Sequence, residues 1–188
     1  MTRRVPVVPT LIVAAAVATM VALGIWQLRR AEWKGELIDR YREAQAMSAS
    51  VPWPRDPAGL EQVLFRWSEF DCERVLGIRT TAATSASGES GVSQVARCEV
   101  EGGGEAEVAL GWSRPTQQLE WDGGRVSGIV GLGGVLHATP PAPGLEPLAV
   151  PDPGDLPNNH LAYAGQWFFF ALTAVVIYVL ALRRRWRG

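Results

Sequence analysis

Residues 157–185 read PNNHLAYAGQWFFFALTAVVIYVLALRRR. No charged side chain interrupts the run from Leu161 to Leu182, and the run stops at three successive arginines. At 1.5 Å rise per residue, about 20 apolar residues cross a hydrocarbon core of about 30 Å, so the segment reads as a membrane-spanning helix. Its entrance carries Pro157, Asn158, Asn159 and His160, a polar cluster at the mouth of an apolar run.

A second run of the same kind lies near the start, from Val5 to Leu28, broken only by Pro6, Pro9, Thr10, Thr19, Gly24 and Gln27. A cleaved signal peptide competes with a retained span here, but no small-x-small site follows; the run ends in Trp26, Gln27, Arg29 and Arg30. Averaged over its 188 residues the chain is 47% hydrophobic and 20% charged, with a formal net charge of -1. Such averages describe one soluble domain. The distribution does not, because the apolar residues gather at the two ends. The fold class expected is a membrane protein: a hairpin of two transmembrane helices carrying a small, mainly-β (α+β) external domain.

Basic residues close to the spans orient the hairpin. Arg3 and Arg4 precede the first span, and Arg183, Arg184, Arg185 and Arg187 follow the second. The outer flanks set Arg29, Arg30 and Lys34 against Glu32, Glu36, Asp152 and Asp155. Both termini are expected in the cytoplasm. The chain then divides into a cytoplasmic N-terminus at 1–4, a span at 5–28, an external domain at 29–157, a second span at 158–182 and a basic tail at 183–188.

Within the external segment, Trp33, Leu37, Ile38 and Tyr41 recur at helical spacing, so the first helix is expected to continue through "AEWKGELIDRYREAQAM" until the proline cluster "VPWPRDP". Strand-like segments follow: "VLFRWSEF", "ERVLGIRT", "SQVARCEV", "EAEVALGW" and "RVSGIVGL". From Ala138 to Pro157 a proline-rich stretch favours extended backbone and reads as the return connector. Cys72 and Cys98 are the only cysteines, and both fall in the external segment, where an oxidising compartment permits a disulfide. Their flanking strands, joined by "AATSASGESG", set them across a hairpin. Two unrelated buried thiols are the other reading.

Catalytic chemistry is hard to find. His137 and His160 are the only histidines, too few for a His-rich metal site, and neither H-E-x-x-H nor G-x-S-x-G occurs. The cysteines are too far apart for a thiol redox pair or a thiolate metal carrier. "EGGGE" lacks the Lys and Ser or Thr of a phosphate loop. The chain is not expected to be an enzyme, nor to have a nucleic-acid partner.

The outer boundary carries the remaining chemistry. Asn158 or Asn159 can cap the second helix through its side-chain oxygen. Ala164 and Trp167 share a helical face with His160, Tyr163 stands beside them, and small Ala164 and Gly165 are expected to leave room next to the imidazole. Trp26, Gln27 and Trp33 form a similar aromatic-polar cluster at the end of the first span. Two readings of His160 stand. It is an interfacial residue bonded to headgroups or water, or an axial ligand of haem iron, for which a neutral imidazole in an apolar setting is suited.

"LGIWQLRRAEWKGELI" (Leu23 to Ile38) and "NNHLAYAGQWFFFALTAVVIYVLALRRR" (Asn158 to Arg185) resemble the two end signatures of the Surfeit locus protein 1 family, membrane proteins that assist assembly of cytochrome c oxidase. The first is similar to Leu-Gly-x-Trp-Gln with basic residues and a downstream Lys, the second to Asn-Asn-His-x-x-Tyr followed by Trp-Phe. "VALGWSRP" is similar to the family's strand ending in Arg-Gly-Trp, with Leu110 in place of the arginine, and "GRVSGIVG" to its following Gly-rich strand. The family's Gly-x-Phe strand is replaced by "CERVLGIRT".

The resemblance implies biogenesis of a haem-copper oxidase: binding haem a and assisting its insertion into the catalytic subunit, or stabilising an intermediate of that subunit. It implies His160 as ligand of the haem iron, and Trp167, Tyr163 and Trp26 are expected to shelter the macrocycle at the outer boundary. The partners it implies are the oxidase catalytic subunit and the lipid bilayer, with haem a synthase a further candidate. The short stretch before the first span leaves no room for a mitochondrial transit peptide, so a bacterial inner membrane with a periplasmic domain is expected. A haem-free membrane scaffold and an unrelated cell-envelope binding module are the alternatives.

Overall fold

The computed structural model describes residues 5–47, 49–101, 103–115 and 119–187. Arg3 and Arg4, on which part of the orientation rests, and Gly188 of the tail lie outside the described residues. The chain forms two compact units, Met1–Ile38 with Leu156–Gly188, and Asp39–Asp155.

The first unit is a pair of helices. α1 runs Val7–Ala46 without interruption, its last turns belonging to the second unit, and the helix labelled α3 below runs His160–Arg187. Pro9 sits in the first turn of α1, where its missing N–H costs no helical bond. Both helices are long and apolar enough to cross a membrane. Their contact is antiparallel: Thr10 bonds the Tyr178 hydroxyl near one end, and Gly24 lies against Phe168 further along. Gly24 and Ala31 on α1 and Ala164 and Ala171 on α3 are buried. Small residues allow such close approach of two backbones when neither helix gains from leaving water. Leu11, Ile12, Leu172 and Ile177 are exposed, so the apolar surface of this unit points outward.

In the second unit, two short elements, β1 (Val51–Pro52) and α2 (Leu60–Val63), precede five strands: β2 Trp67–Thr84, β3 Ser90–Val100, β4 Glu105–Ser113, β5 Gly124–Val130 and β6 Val135–Ala138. β2 pairs with β5 through Trp67–Cys72 and with β3 through Cys72–Thr84, so the ladder β2–β3–β4–β6–β5 closes on itself. Closure removes the unpaired edges that would invite aggregation. Within this ladder the neighbours are antiparallel except β4 and β6, which run parallel, and the short β1 adds a second parallel pairing beside β2. Alternate residues fill the interior: Phe70 and Cys72, Ala96, Cys98 and Val100, Ala106, Val108 and Leu110, Val126 and Val130, Leu136 and Ala138. Leu110, where the resembling strand would carry arginine, is a core residue with 1% exposure. A charge there would have no water and no partner.

Two expectations change. "VLFRWSEF" and "ERVLGIRT" are not separate strands; β2 crosses both, beginning at Trp67, and bends at irregular pairings next to Cys72 and Val75. Bulges there let one strand serve two neighbours. The proline-rich stretch also does more than connect. Ala142 N–H donates to Leu110, Trp112 and Glu146 exchange backbone bonds, and Ala149 N–H donates to the Thr84 carbonyl. The residues between the prolines keep their N–H groups, and they stitch the segment to β2 and β4.

Cys72 and Cys98 form a disulfide between the adjacent strands β2 and β3, with Cα atoms 5.2 Å apart. The end of α1 contributes Tyr41, whose ring lies 4.9 Å from Phe65, and Gln45, which donates to the Pro151 carbonyl.

Candidate functional site

His160 opens α3, and its Nδ1 lies 2.7 Å from Gln27 Oε1 of α1. This contact engages one of the two ring nitrogens and leaves Nε2 as the other. Contacts on either side hold this pair in register. Asn158 Nδ2 donates to the Ala31 carbonyl at 3.4 Å, Lys34 Nζ donates to the Pro157 carbonyl, and the position of a Cβ on Gly24 falls 2.7 Å from the Phe168 ring. Gly24, Gln27, Ala31 and Lys34 follow one another at three- and four-residue steps, so they form one stripe of α1. The residues that carry the two end signatures thus meet each other.

The asparagines act differently from the expected side-chain cap. The Asn159 backbone carbonyl accepts from Tyr163 N–H, while the Asn158 side chain reaches across to α1. Asn158 Oδ1 is buried and has no partner among the described residues. A buried acceptor without a donor is uncommon enough to mark the spot as a place for a further polar group.

Trp167 lies on the His160 face of α3, and its ring meets Phe170 edge-on at 6.4 Å. Tyr163 is beside that face and 50% exposed. Trp26 precedes Gln27 by one residue, about 100° round the helix, and is 55% exposed. Trp33 stacks under Arg30 at 4.1 Å. Ala164 does not leave open room either, because it is buried with 1% exposure; its small size serves packing. Gly165 is the open position, with nothing within 4 Å of where a Cβ would stand.

The donor set would suit one bond to a haem iron. It comprises a single imidazole with a spare nitrogen, on a helix whose surface is aromatic and apolar: Leu161, Phe169 and Phe170 are all exposed. No group of three or more His, Cys, Asp or Glu side chains is placed to hold a bare metal ion among the described residues. The chain's other histidine, His137, is in β6 of the second unit. Sequence reasoning noticed Gln27 as part of a cluster but missed its bond to His160. The available signal was its being an amide inside an otherwise apolar run, where a polar side chain needs a partner.

The family model described as SURF1 family matches residues 14–152. The match takes in the whole Leu23–Ile38 signature and nearly all of the β unit, and it ends before the Asn158–Arg185 signature. No curated protein matches the chain.

Proposed function

The chain belongs to the SURF1 family, and from that premise we propose that it is a membrane-anchored assembly factor for cytochrome c oxidase. The family is associated with assembly of that oxidase, which makes the oxidase the natural partner. The two apolar helices span a bacterial inner membrane, with the arginines after Leu182 on the cytoplasmic side and the β unit in the periplasm. Outward-facing leucines, isoleucines and phenylalanines on both helices support that reading, since such a surface is costly in water.

The cargo is haem a. The supporting observation is His160, whose Nδ1 is held by Gln27 and which opens a helix with exposed apolar and aromatic groups. Haem a would bring an iron that accepts one imidazole and a flat apolar ring. His160 would supply the bond, and Trp167 and Tyr163 would shelter the ring. Trp26, about 100° round α1 from Gln27, would be a further shelter for the ring. A single ligand suits release to the oxidase catalytic subunit.

The test is the optical spectrum and extracted haem type of detergent-purified protein co-expressed with haem a synthesis, beside His160→Ala. Haem a present in the first and lost in the second is the expected result. No haem in either would end the carrier reading. It would favour a haem-free scaffold, in which the mutual contacts of the signature residues would hold the hairpin together.

A further inference from the structure

Gln27 has a role beyond packing. We infer that it is a positioning residue that fixes His160 in the tautomer protonated at Nδ1, leaving Nε2 with the free electron pair; this rests on the reading of His160 as an iron ligand. The carbonyl oxygen Oε1 of Gln27 carries no hydrogen, so across the 2.7 Å contact the imidazole Nδ1 is the donor. A neutral imidazole has one N–H, and placing it at Nδ1 leaves Nε2 bare. Nε2 is the ring nitrogen that the Gln27 contact does not engage. Metal-ligating histidines commonly have their second nitrogen held in this way by an acceptor, which sets the tautomer and the ring orientation.

The placement of Gln27 is not incidental to its neighbours. Gly24, three residues before it, admits the Phe168 ring; Ala31, four after it, accepts from Asn158; and Lys34 bonds the Pro157 carbonyl. These contacts keep α1 and the start of α3 close enough for the amide to reach the ring. Removing the acceptor while keeping the volume should therefore free the tautomer and leave the hairpin in place.

The experiment uses the full chain, labelled with 15N-histidine in detergent, and reads the two ring nitrogens of His160 by NMR, with His160→Ala separating its signals from those of His137. Wild type is expected to be protonated at Nδ1. Gln27→Glu, which also accepts and cannot donate when ionised, should keep that state. Gln27→Met should lose it in favour of protonation at Nε2. Titration with haemin should then show binding weakened roughly 10-fold or more in Gln27→Met and retained in Gln27→Glu. A wild-type ring protonated at Nε2 would overturn the inference without reference to any variant. So would a Gln27→Met spectrum identical to wild type. If the tautomers behave as stated but haemin is never coordinated by His160, the cargo reading fails and the positioning role of Gln27 stands.

Discussion

His137 and His160, the chain's two histidines, sit in unlike surroundings. His137 is in a strand of the β unit, its Nδ1 buried without a partner among the described residues and its Nε2 close to Gly131. Burial lowers its pKa below the ordinary value near 6.5, because the charged ring loses its water. The sign follows from linkage. The unfolded ring takes up a proton at a higher pH than the folded one, so the stabilisation is complete above about pH 6.5 and is lost as pH falls below it. Thermal unfolding of the full chain should therefore show a midpoint that drops between pH 7.5 and 5, and His137→Gln should flatten that drop. An unchanged pH dependence in the variant would assign the effect elsewhere. His160 was legible in the sequence as an ionisable residue at a helix entrance. Gln27 was not legible as its partner, since nothing in one sequence reports which residues of two distant helices stand opposite each other.

At the scale of elements, alternating apolar residues made the strands readable but not their pairing. β2 was misread as two strands because Asp71, Glu73 and Arg74 look like a turn in sequence, whereas in the barrel they are outward residues flanking an inward Cys72. The cysteine bridge was legible from compartment and hairpin spacing. It closes a separation of 26 residues, and restricting the unfolded chain by that loop is worth about 3.5 kcal/mol. Cys72→Ala with Cys98→Ala should lower the stability of the β unit by an amount of that order, measured by denaturant unfolding beside the reduced wild type. β5 and β6 approach each other closely at Gly128. A Cβ on Gly128 would stand 1.9 Å from the His137 carbonyl oxygen, which is backbone and cannot swing aside. Gly128→Ala should therefore cost at least ~3 kcal/mol and leave little folded protein, whereas Gly77→Ala, with open space around it in β2, should be within about 0.5 kcal/mol of wild type. Equal thermal midpoints for the two variants would contradict this account of β5 and β6.

For the whole molecule, the two end signatures lie more than a hundred positions apart and still describe one object, the seam of the helical pair. This explains why hydropathy was enough to read the hairpin while the seam itself was not: apolar patterning gives the existence of two helices, but the facing stripes are set by small and polar residues that patterning treats as interruptions. Gly24 is such an interruption, and it is the place to test whether the seam matters to assembly. Its missing Cβ makes room for the far end of the Phe168 ring. Gly24→Ala can be absorbed by a small rotation of that ring, so oxidase activity in membranes should change little. Gly24→Leu is too large for rotation alone and should separate the stripes, weaken the Gln27–His160 bond and reduce assembled oxidase several-fold. Phe168→Ala in the same chain vacates the ring's volume for the leucine, so the double variant should recover most of what Gly24→Leu loses. Coupled substitutions of touching residues differ from the sum of their separate effects by roughly 0.5–3 kcal/mol, large enough to appear as such a rescue. If Phe168→Ala instead adds to the defect of Gly24→Leu, the two residues act independently, and the contact between the signatures has no part in assembly.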